Sequence, residues 1–355
     1  MSSPSRRPDA SSTTMKRIAQ DLGVSITTVS KVLNDRTDIG DTTRARVLAR
    51  VAELGYQPNA VARSLTLRRT HTLGIVLPDL MHSFFVEVIA GLETVVHTRG
   101  YGMLLCNSEE NPRKERAQLQ LLAQRQVDGV VLASAGASTN TDLLHRLTSR
   151  GVGLVMIDRD DHPDIRCDRV LTDDEEVGRL ATAHLVAQGR RAVAHIAGPR
   201  IVHAMRRAAG YRRALAEAGL RVRNDWIVRG GFSEADGYRA MTRLLASADR
   251  PDAVFAANDP AAIGALKAVW AAGLRVPQDV AVAGAGDIAH GDLLRVPLTT
   301  VTWPRHELGR RAAELLLDRL DGNAAGRYQR VVIPPRLVVR ASSEAAPGAG
   351  TGVSM

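Results

Sequence analysis

The chain has 355 residues, 45% of them hydrophobic, and a formal net charge of +9, a length and composition that suit two or three globular domains with real cores. No run approaches the roughly eighteen apolar residues of a membrane span, and residues 1–14 lack the apolar stretch of a secretory signal, so we expect a cytoplasmic protein with no membrane contact. Cys106 and Cys167 lie far apart and outside a CxxC spacing, so the sequence indicates neither a disulfide framework nor a zinc site. No cofactor or other metal is expected.

The excess positive charge is concentrated near the amino terminus. Residues 1–70 contain 12 Lys and Arg against 6 Asp and Glu, which leaves +6 of the total of +9. This concentration indicates a polyanionic partner for that part of the chain, although a solvated arginine-rich surface would have the same composition.

Both ends of the chain are predicted to be disordered tails. Residues 1–13 are rich in Ser, Pro and Arg, residues 341–355 read ASSEAAPGAGTGVSM, and neither segment has a helical or strand-like period. The folded part is therefore expected between residues 14 and 340.

Short helical patterns fill residues 14–58 and predict a small all-helical domain. The helices are TMKRIAQDLG, SITTVSKVLN and DTTRARVLARVAELG, the last of which ends on a helix-stopping glycine. Ala19, Gly23 and Val29 have the spacing of a helix-turn-helix unit, in which they allow close packing, a left-handed turn and entry into the core, respectively.

The second helix of this unit has an outward face of short polar side chains. Ser25 is a natural N-cap, and the residues expected to point away from the core are Ile26, Thr27, Thr28, Ser30, Lys31 and Asn34. Short hydrogen-bond donors and one cation suit phosphates and base edges, so this face is predicted to bind DNA. A helical hairpin with a solvated face is the alternative.

Beyond residue 70 the sequence alternates between buried strands and amphipathic helices. The strand candidates are residues 73–77, 102–106, 129–133, 153–157, 192–197, 253–257 and 280–284. The alternation indicates parallel sheets, and a series of this length predicts an α/β domain of two doubly wound, Rossmann-like lobes. A ligand cleft is expected at the carboxyl ends of the strands.

The ordered set of motifs resembles the lactose/galactose repressor family. TMKRIAQDLGVSITTVSKVLND and RVLARVAELGYQPNAVARSL match its DNA-binding headpiece, and GIVLPDLMHSFFVEVIAGLE, VMIDRD and AANDPAAIGALKAVWAAGLRVPQDVAVAG continue the likeness as far as Arg340. The resemblance implies a helix-turn-helix headpiece over residues 14–58 and a hinge helix and linker over residues 59–70. Residues 71–340 would then be an effector-binding and dimerisation domain similar to periplasmic binding proteins.

The resemblance also implies which residues contact DNA. Bases would be read by Ile26, Thr27 and Lys31, and phosphates held by Thr28, Ser30, Asn34 and Tyr56. The segment NAVARSL matches the family's hinge helix, which is too short to be stable alone and is expected to order when two copies pack in the minor groove. Its matching positions include Asn59, Ala62 and Leu65, with Leu65 as the wedge between base pairs.

A pocket for a small hydroxylated effector follows from the same resemblance. Its implied lining is Phe84, Asp158, Arg207, Phe232, Asn258, Gly286 and Asp287, a set of aromatic faces and directional polar groups. Four of these side chains also have a structural alternative: the two phenylalanines as core residues, Asp158 as a turn cap and Arg207 as a surface cation.

Two acidic positions are assigned to helix capping rather than to ligand or metal binding. Asp259, followed by Pro260, is predicted to be the N-cap of the helix that it opens. Thr172 and Glu175 are predicted to form a capping box at the start of an earlier helix.

One departure from the family pattern concerns the ligand. In AGAGDIAH, Ala285 stands where the family has an aromatic residue, and Gly286 stands where it has a sugar-binding aspartate. Losing that carboxylate would suit an acidic ligand, and the loop resembles the gluconate-repressor branch, so a sugar acid is expected. Neutral drift in the loop would account for the change equally well.

The resemblance implies a homodimeric regulator, most simply a repressor of a carbohydrate or sugar-acid operon, that binds a near-palindromic operator under the control of a small ligand. An enzyme is not expected, because the sequence has no GxGxxG run after a strand, no metal motif and no nucleophile elbow. A secreted sugar-binding protein would need a signal peptide and would have no basic headpiece. The residues after Arg340 lack leucine heptads, so no tetramer is expected.

Overall fold

The computed structural model describes residues 15–33, 36–56, 64, 69–136, 139–324 and 326–344. They belong to two compact units, divided between Thr70 and His71. The predicted tail 1–13 and most of the predicted tail 341–355 lie outside the described residues, and so do four predicted DNA contacts: Asn34, Asn59, Ala62 and Leu65. No helix among the described residues is long and apolar enough to cross a membrane.

Three helices build the first unit, which we call the headpiece: α1 (Met15–Leu22), α2 (Ile26–Leu33) and α3 (Asp41–Glu53). Gly23 adopts a φ of +65° in the turn between α1 and α2, a region that glycine enters without steric penalty. The buried core consists of Ile18, Ala19, Val29, Val32 and Val47. The helix-turn-helix prediction is therefore confirmed.

The second unit, the effector domain, contains two six-stranded sheets. Its strands are β1 (Thr72–Leu77), β2 (Gly102–Asn107), β3 (Gly129–Leu132), β4 (Gly153–Ile157), β5 (Asp168–Thr172), β6 (Val193–Ala197), β7 (Ile227–Arg229), β8 (Ala253–Ala256), β9 (Ala281–Ala285), β10 (Thr299–Thr302), β11 (Arg330–Ile333) and β12 (Arg336–Val338). The first sheet has the order β11-β5-β4-β3-β1-β2 and the second the order β12-β10-β9-β8-β6-β7. The pairing of β10 with β12 is antiparallel, and the others are parallel.

Helices cover the sheets in packed pairs. They are α4 (Ser83–Val96), α5 (Pro112–Gln124), α6 (Thr141–Ser149), α7 (Asp174–Ala187), α8 (Val202–Glu217), α9 (Glu234–Leu245), α10 (Asp259–Ala271) and α11 (Arg305–Leu320). Helices α4 and α11 pack together on the first sheet, whereas the pairs α7 with α8 and α9 with α10 belong to the second.

The chain crosses between the two lobes three times. Strands β1 to β5 form the N-terminal lobe, and β6 to β10 form the C-terminal lobe. The chain then returns through α11 to place β11 beside β5, and it crosses back to place β12 beside β10. Because each lobe contains chain from both halves of the domain, the lobes are joined by three connections and the cleft between them is built by both.

All seven predicted strands are present, each within two residues of its predicted bounds. Five strands were missed: β5, β7, β10, β11 and β12. They are short and carry charged or threonine side chains, as in DRVLT, IVR and TTVT, so they lack the continuous apolar run by which the central strands were recognised. Their positions at or next to the edges of the sheets account for this composition.

Two predictions about segment ends are wrong. Thr172 is the last residue of β5, and the N-cap of α7 is Asp173, whose carboxylate accepts a hydrogen bond from the Glu176 amide, so no capping box links Thr172 to Glu175. The predicted tail also begins too early. Ser342 and Ser343 are fully buried, and the Ser342 hydroxyl donates to the Val282 carbonyl at 2.6 Å.

Candidate functional site

The start of helix α2 is fixed by a side-chain cap. The Ser25 hydroxyl accepts a hydrogen bond from the Thr28 amide at 3.0 Å and lies 2.8 Å from the Thr28 hydroxyl. This satisfies one of the amides that a helix leaves unpaired at its first turn. The predicted N-cap is confirmed, and it orients the following residues of α2.

The outward face of α2 carries the predicted DNA-contacting side chains that the structure describes. Ile26 and Thr27 are exposed at its first turn, and Ile26 keeps 48% of its surface accessible. Thr28, Ser30 and Lys31 are half-exposed. Val29 and Val32 point into the core instead, so polar and apolar residues separate by helical period as predicted.

The Lys31 ammonium forms an ion pair with Asp38, in the segment between α2 and α3. This pair holds the pKa of Asp38 below its ordinary value, chiefly through the hydrogen bond from Lys31. Tyr56, the last predicted phosphate contact on the headpiece, is half-buried and packs against the helical core. The cation expected to read bases is therefore already paired within the headpiece.

A cavity of about 650 Å³ lies between the lobes of the effector domain. Its lining follows the carboxyl ends of strands in both sheets, with Asp79 after β1, Asp158 after β4, Phe232 after β7 and Asn258 after β8. This is the predicted place for a ligand cleft in an open parallel sheet.

Six of the seven predicted effector contacts line this cavity, and one does not. The six are Phe84, Asp158, Arg207, Phe232, Asn258 and Gly286. The seventh, Asp287, forms an ion pair with Arg340 at 2.8 Å and is not among the residues that line the cavity. That carboxylate fixes the end of β12 to the loop after β9.

Aromatic faces stand on both walls of the cavity. Phe84 contacts Trp303 in an edge-to-face arrangement, with ring centroids 5.9 Å apart. On the opposite wall Phe232 stacks on His203 at 5.3 Å, with 14° between the planes. Burial lowers the pKa of His203 well below its ordinary value, so this ring is neutral. Flat apolar faces of this kind suit the carbon face of a sugar ring or a planar heterocycle.

Arg207 is held in the C-terminal lobe by Asp174, the first residue of α7. Its Nε donates to Asp174 Oδ1 at 2.9 Å, and its Nη1 donates to the Ala257 carbonyl at 2.7 Å. Burial raises the pKa of Asp174 to about 6, against the opposing charge of Arg207. The alternative of a surface cation is therefore excluded, and the guanidinium retains N–H groups that these bonds do not use.

The backbone of Arg207 is set by the close approach of α7 to α8. A Cβ atom added at Gly178 of α7 would overlap the Arg207 carbonyl. Only glycine allows this helix contact. The guanidinium is thus positioned by the backbone of Arg207 and by its own hydrogen bonds. It lies over the ring of Trp303, 5.2 Å from the ring centroid.

Arg159 is the corresponding guanidinium on the N-terminal wall. It forms a two-pronged pair with Glu110, with N to O distances of 2.7 Å, and donates to the Ser134 carbonyl at 2.9 Å. Asp158 lies 3.5 Å from the Arg159 Nε, and it adopts a φ of +62° at the end of β4. The carboxylate of Asp158 lines the cavity and contacts a cation there, so the alternative of a turn cap has no hydrogen bond to support it among those of the described residues.

The helix that follows β8 begins differently from the prediction. Its N-cap is Asn258, whose side-chain oxygen accepts from the Ala261 amide at 3.0 Å while its Nδ2 donates to the Phe232 carbonyl at 2.9 Å. Asp259 is the first helical residue, not the cap. Its buried carboxylate instead accepts from the Thr300 hydroxyl and the Ile288 amide, both at 2.7 Å, and burial raises its pKa to about 6.

The loop after β9 contains glycine for a backbone reason. Gly286 adopts a φ of +127°, which a residue with a side chain rarely adopts. Arg305, at the start of α11, donates to the carbonyls of Gly286 and Asp287 at 2.6 and 3.0 Å and pairs with Glu87 of α4. The geometry of the loop therefore accounts for the glycine without reference to the charge of a ligand.

Several lining residues were missed by the sequence analysis. The main ones are Asp79, His82, Phe85, Glu110, Arg159, His203, Asp236 and Trp303. Trp303 follows β10, one of the missed strands, so recognising that strand would have placed it at a carboxyl end. Arg159 and Phe85 neighbour predicted residues in sequence, but no pattern in the sequence indicates that their side chains turn toward the cleft.

Two family models match the chain. Residues 14–59 match the model for bacterial regulatory proteins of the lacI family, and residues 182–343 match the model for a periplasmic binding protein-like domain. Among curated proteins, the chain is 37% identical over 332 residues to the HTH-type transcriptional repressor PurR of Mannheimia succiniciproducens, covering 93% of this chain and 98% of that relative. It is 36% identical over 331 residues to PurR of Pectobacterium atrosepticum, covering 93% and 96%.

Solved structures agree with these sequence matches. The transcriptional regulator CelR in complex with cellobiose superposes with a TM-score of 0.72 at 33% identity, covering 93% of this chain and 99% of that one. The lac repressor dimer bound to operator and the anti-inducer ONPF superposes with a TM-score of 0.82 at 26% identity, covering 94% and 99%.

Proposed function

Because this chain belongs to the lacI family of bacterial regulatory proteins, we propose that it represses a carbohydrate operon by binding a near-palindromic operator as a homodimer, under the control of a neutral hydroxylated effector. Membership of the family gives the general role: the chain is a DNA-binding transcriptional repressor with a ligand-binding domain, and it is not an enzyme. The operator contacts and the class of effector are the proposal.

The observation that carries the DNA-binding part is the exposed first turn of α2. The cap at Ser25 fixes the helix start, and Ile26 and Thr27 project from it without taking part in the core. Side chains at the amino-terminal end of a recognition helix reach base edges in the major groove. Ile26 and Thr27 therefore set the sequence preference, while Thr28, Ser30, Lys31 and Tyr56 position the headpiece on phosphates and bases.

This assignment is tested by replacing Ile26 and Thr27 together with alanine. The preferred half-site, measured by selection from a randomised DNA library, is expected to change, whereas affinity for nonspecific DNA at low salt stays nearly the same. Thr42→Ala, an exposed change on α3, serves as the matched control. An unchanged half-site in the double variant would contradict the assignment.

The hinge residues Asn59, Ala62 and Leu65 lie outside the described residues, so their role remains a proposal from the sequence. Leu65 is expected to wedge into the minor groove at the operator centre, where unstacking a base step takes a few kcal/mol. Leu65→Ala should then weaken operator binding and reduce DNA bending measured by energy transfer. Equal bending in variant and wild type would exclude the wedge.

The charges in the cavity support a neutral ligand rather than the sugar acid expected from sequence. Among the described residues, four carboxylates line it, from Asp79, Glu110, Asp158 and Asp236, against the two guanidinium groups of Arg159 and Arg207. Each guanidinium is already paired with a carboxylate. Asp236 is also paired, with Arg239, so the excess negative charge is that of Asp79 and Asp158. This excess would repel an anionic ligand, whereas sugar hydroxyls donate hydrogen bonds to carboxylates.

The glycine on which the sugar-acid prediction rests, and the arginine that would pair with an acid, are both accounted for by the protein's own structure. Arg207 is engaged by Asp174, and Gly286 is required by its positive φ. Two relatives solved with a ligand hold neutral sugars in their own sites, since CelR is bound to cellobiose and a regulator from Enterococcus faecium is bound to ribose. A cavity of about 650 Å³ is within the usual range for a small-molecule site.

Calorimetric titration with cellobiose, galactose, gluconate and adenine tests the class of effector. We expect a neutral sugar to bind tighter than gluconate, and Asp158→Asn to weaken its binding by about tenfold or more, because a charge-assisted hydrogen bond is lost. Asp164→Asn, an exposed change a few residues away, is the matched control. Tighter binding of gluconate would support a sugar acid as the effector. Tighter binding of adenine would support a planar heterocycle that stacks on the aromatic walls.

A further inference from the structure

A second cavity lies at the opposite end of the C-terminal lobe, and nothing in the repressor function uses it. It measures about 630 Å³ and is lined by residues that precede the strands of the second sheet: Arg191 and Ala192 before β6, residues 221–226 before β7, and Asp249 before β8. Since β6 has five residues at about 3.3 Å each, roughly 16 Å of strand separates this end of the sheet from the effector cavity.

One wall of this second cavity is formed by a network of ion pairs around Arg223. Its guanidinium pairs with Asp225 at 2.7 Å and with Asp249 at 2.9 Å, and it lies 4.2 Å from the centroid of the Trp226 ring. The hydrogen bond from Arg223 lowers the pKa of Asp225. Both carboxylates in the lining are therefore engaged by one arginine that is itself stacked on an aromatic face.

Two further guanidinium groups in the lining are not engaged in this way. Arg191 and Arg221 are exposed, and among the described residues neither side chain has a hydrogen bond or an ion pair within 4 Å. The backbone beneath Arg191 is fixed, because the Asp252 carboxylate accepts hydrogen bonds from the amides of Arg191 and Ala192 at 2.9 and 3.0 Å. Three cations against two carboxylates leave the cavity positive.

Trp226 forms part of the same wall, with its ring beneath the Arg223 guanidinium. Trp226 is only 7% exposed, and its Nε1 has no hydrogen-bond partner in the part of the chain that the structure describes. A buried donor without a partner is rare in folded proteins. This atom has almost no accessible surface, however, so it is not open to a ligand, and the charges of the lining alone indicate what the cavity could bind.

We propose that this second cavity binds a small phosphorylated metabolite, with its phosphate held between Arg191 and Arg221. Two guanidinium groups match the three terminal oxygens of a phosphate monoester better than the two oxygens of a carboxylate. The volume exceeds that of a bare ion and suits the remainder of a small organic phosphate. The site is separate from the effector cavity, and it does not depend on the class of effector proposed above.

Ribose 5-phosphate is a suitable probe, with ribose as the neutral control, in low-salt buffer without phosphate. We expect hydrogen–deuterium exchange to slow at residues 221–226 when ribose 5-phosphate is added, and not with ribose. Protection confined to residues 79–85 and 258–261 would place the ligand in the effector cavity and overturn the proposal.

The affinity test uses the double variant Arg191→Gln and Arg221→Gln. Calorimetry should show that ribose 5-phosphate binds at least tenfold more weakly to it than to wild type, because two charge-assisted contacts are lost. Arg243→Gln, which removes one exposed cation on α9 outside the cavity, should bind like wild type. Circular dichroism checks that each variant is folded. Equal affinity in the double variant, or no binding by wild type, would overturn the proposal.

Discussion

Two ion pairs, one in the headpiece and one in the effector domain, share their chemistry but not their surroundings. Lys31 and Asp38 of the headpiece keep 41% and 55% of their side-chain surfaces exposed, whereas Arg207 and Asp174 of the effector domain keep 6% and 4%. An exposed pair contributes little to folding and exchanges readily with water or another anion. A buried pair cannot be separated without leaving one charge unhydrated.

The difference indicates how each region performs its part. In the headpiece, the exposed pair can separate without loss of the fold, so the Lys31 ammonium would become available for the DNA contact that we propose for it. In the effector domain, the pair holds one side of the cavity in a fixed position. An arginine so held can recognise a ligand by geometry, because little side-chain freedom remains to be lost on binding.

The largest expected effect comes from breaking the buried pair. Arg207→Met leaves the Asp174 carboxylate buried without its counter-charge, and we expect it to reduce the free energy of unfolding of the effector domain by about 3–5 kcal/mol. Urea unfolding at pH 7 measures the loss. Arg243→Met, on an exposed face of α9, is the control and should change little. A loss no larger than that of the control would mean that the pair does not hold the lobe.

The next largest expected effect is a dependence of the free energy of unfolding on pH. The pKa of Asp174 is about 6 in the folded protein against an ordinary value of 3.8, so between pH 4 and 6 the folded state keeps a proton that the unfolded state releases. The contribution of Asp174 to stability therefore falls as pH rises through this window, by up to about 3 kcal/mol, and is constant above it.

This trend is measured by comparing wild type with Asp174→Asn, which does not titrate. The stability of wild type relative to the variant should be greater at pH 4.5 than at pH 7, as determined from unfolding curves at both values. A relative stability that rises with pH would show that the pairing with Arg207 outweighs burial and that the carboxylate is favoured in its charged form.

The ion pair on the N-terminal wall of the cavity is intermediate in burial between the exposed pair of the headpiece and the buried pair of Arg207. Arg159 is 4% exposed, but its partner Glu110 keeps 47% of its side chain in solvent. Glu110→Gln should therefore lower the free energy of unfolding by about 1 kcal/mol, because Arg159 retains its bond to the Ser134 carbonyl and its contact with Asp158. A loss as large as that of Arg207→Met would remove the distinction between the two walls.

The smallest effect on stability is expected at the exposed pair, where the change appears in DNA binding instead. Asp38→Asn should leave the thermal unfolding midpoint nearly unchanged and free the Lys31 charge, so affinity for nonspecific DNA rises and the slope of log K against log salt steepens by about one. Fluorescence anisotropy over a salt series measures both. Asp21→Asn removes an equal charge beside Arg50, away from α2. The same gain in the control would show that only net charge matters.

Much of the candidate site was predictable because its residues follow local rules. The spacing of Ala19, Gly23 and Val29 and the cap at Ser25 depend on contacts within a single helix-turn-helix, so the sequence carries them directly. The central strands were equally clear, since a strand buried on both faces is apolar throughout. Once those strands are placed, the residues after them must meet at one edge of each sheet, which located the ligand cleft. The individual residues Asp158, Phe232 and Asn258 were assigned to it by the resemblance to the family.

Local rules failed where partners come from distant parts of the chain. Asp259 and Asn258 have almost the same capping preference, and the choice between them was made by Thr300 and Ile288, which surround the Asp259 carboxylate. Asp287 likewise forms an ion pair with a residue from a distant part of the chain, Arg340. The serines that follow Arg340 look disordered in sequence, yet they hydrogen-bond to the second sheet and become buried.

The sequence by itself determined the headpiece, the two-lobed α/β architecture and the edge of the sheets where a ligand would lie, because these depend on periodicity and spacing within short segments. Only the tertiary structure decided which charges remain available. The pairing of Arg207 with Asp174, of Arg159 with Glu110 and of Lys31 with Asp38 joins residues 33, 49 and 7 positions apart in the chain. Such contacts decide whether a charged side chain is available to a ligand or is paired within the protein. They therefore also decide whether the cavity favours a neutral or an acidic effector.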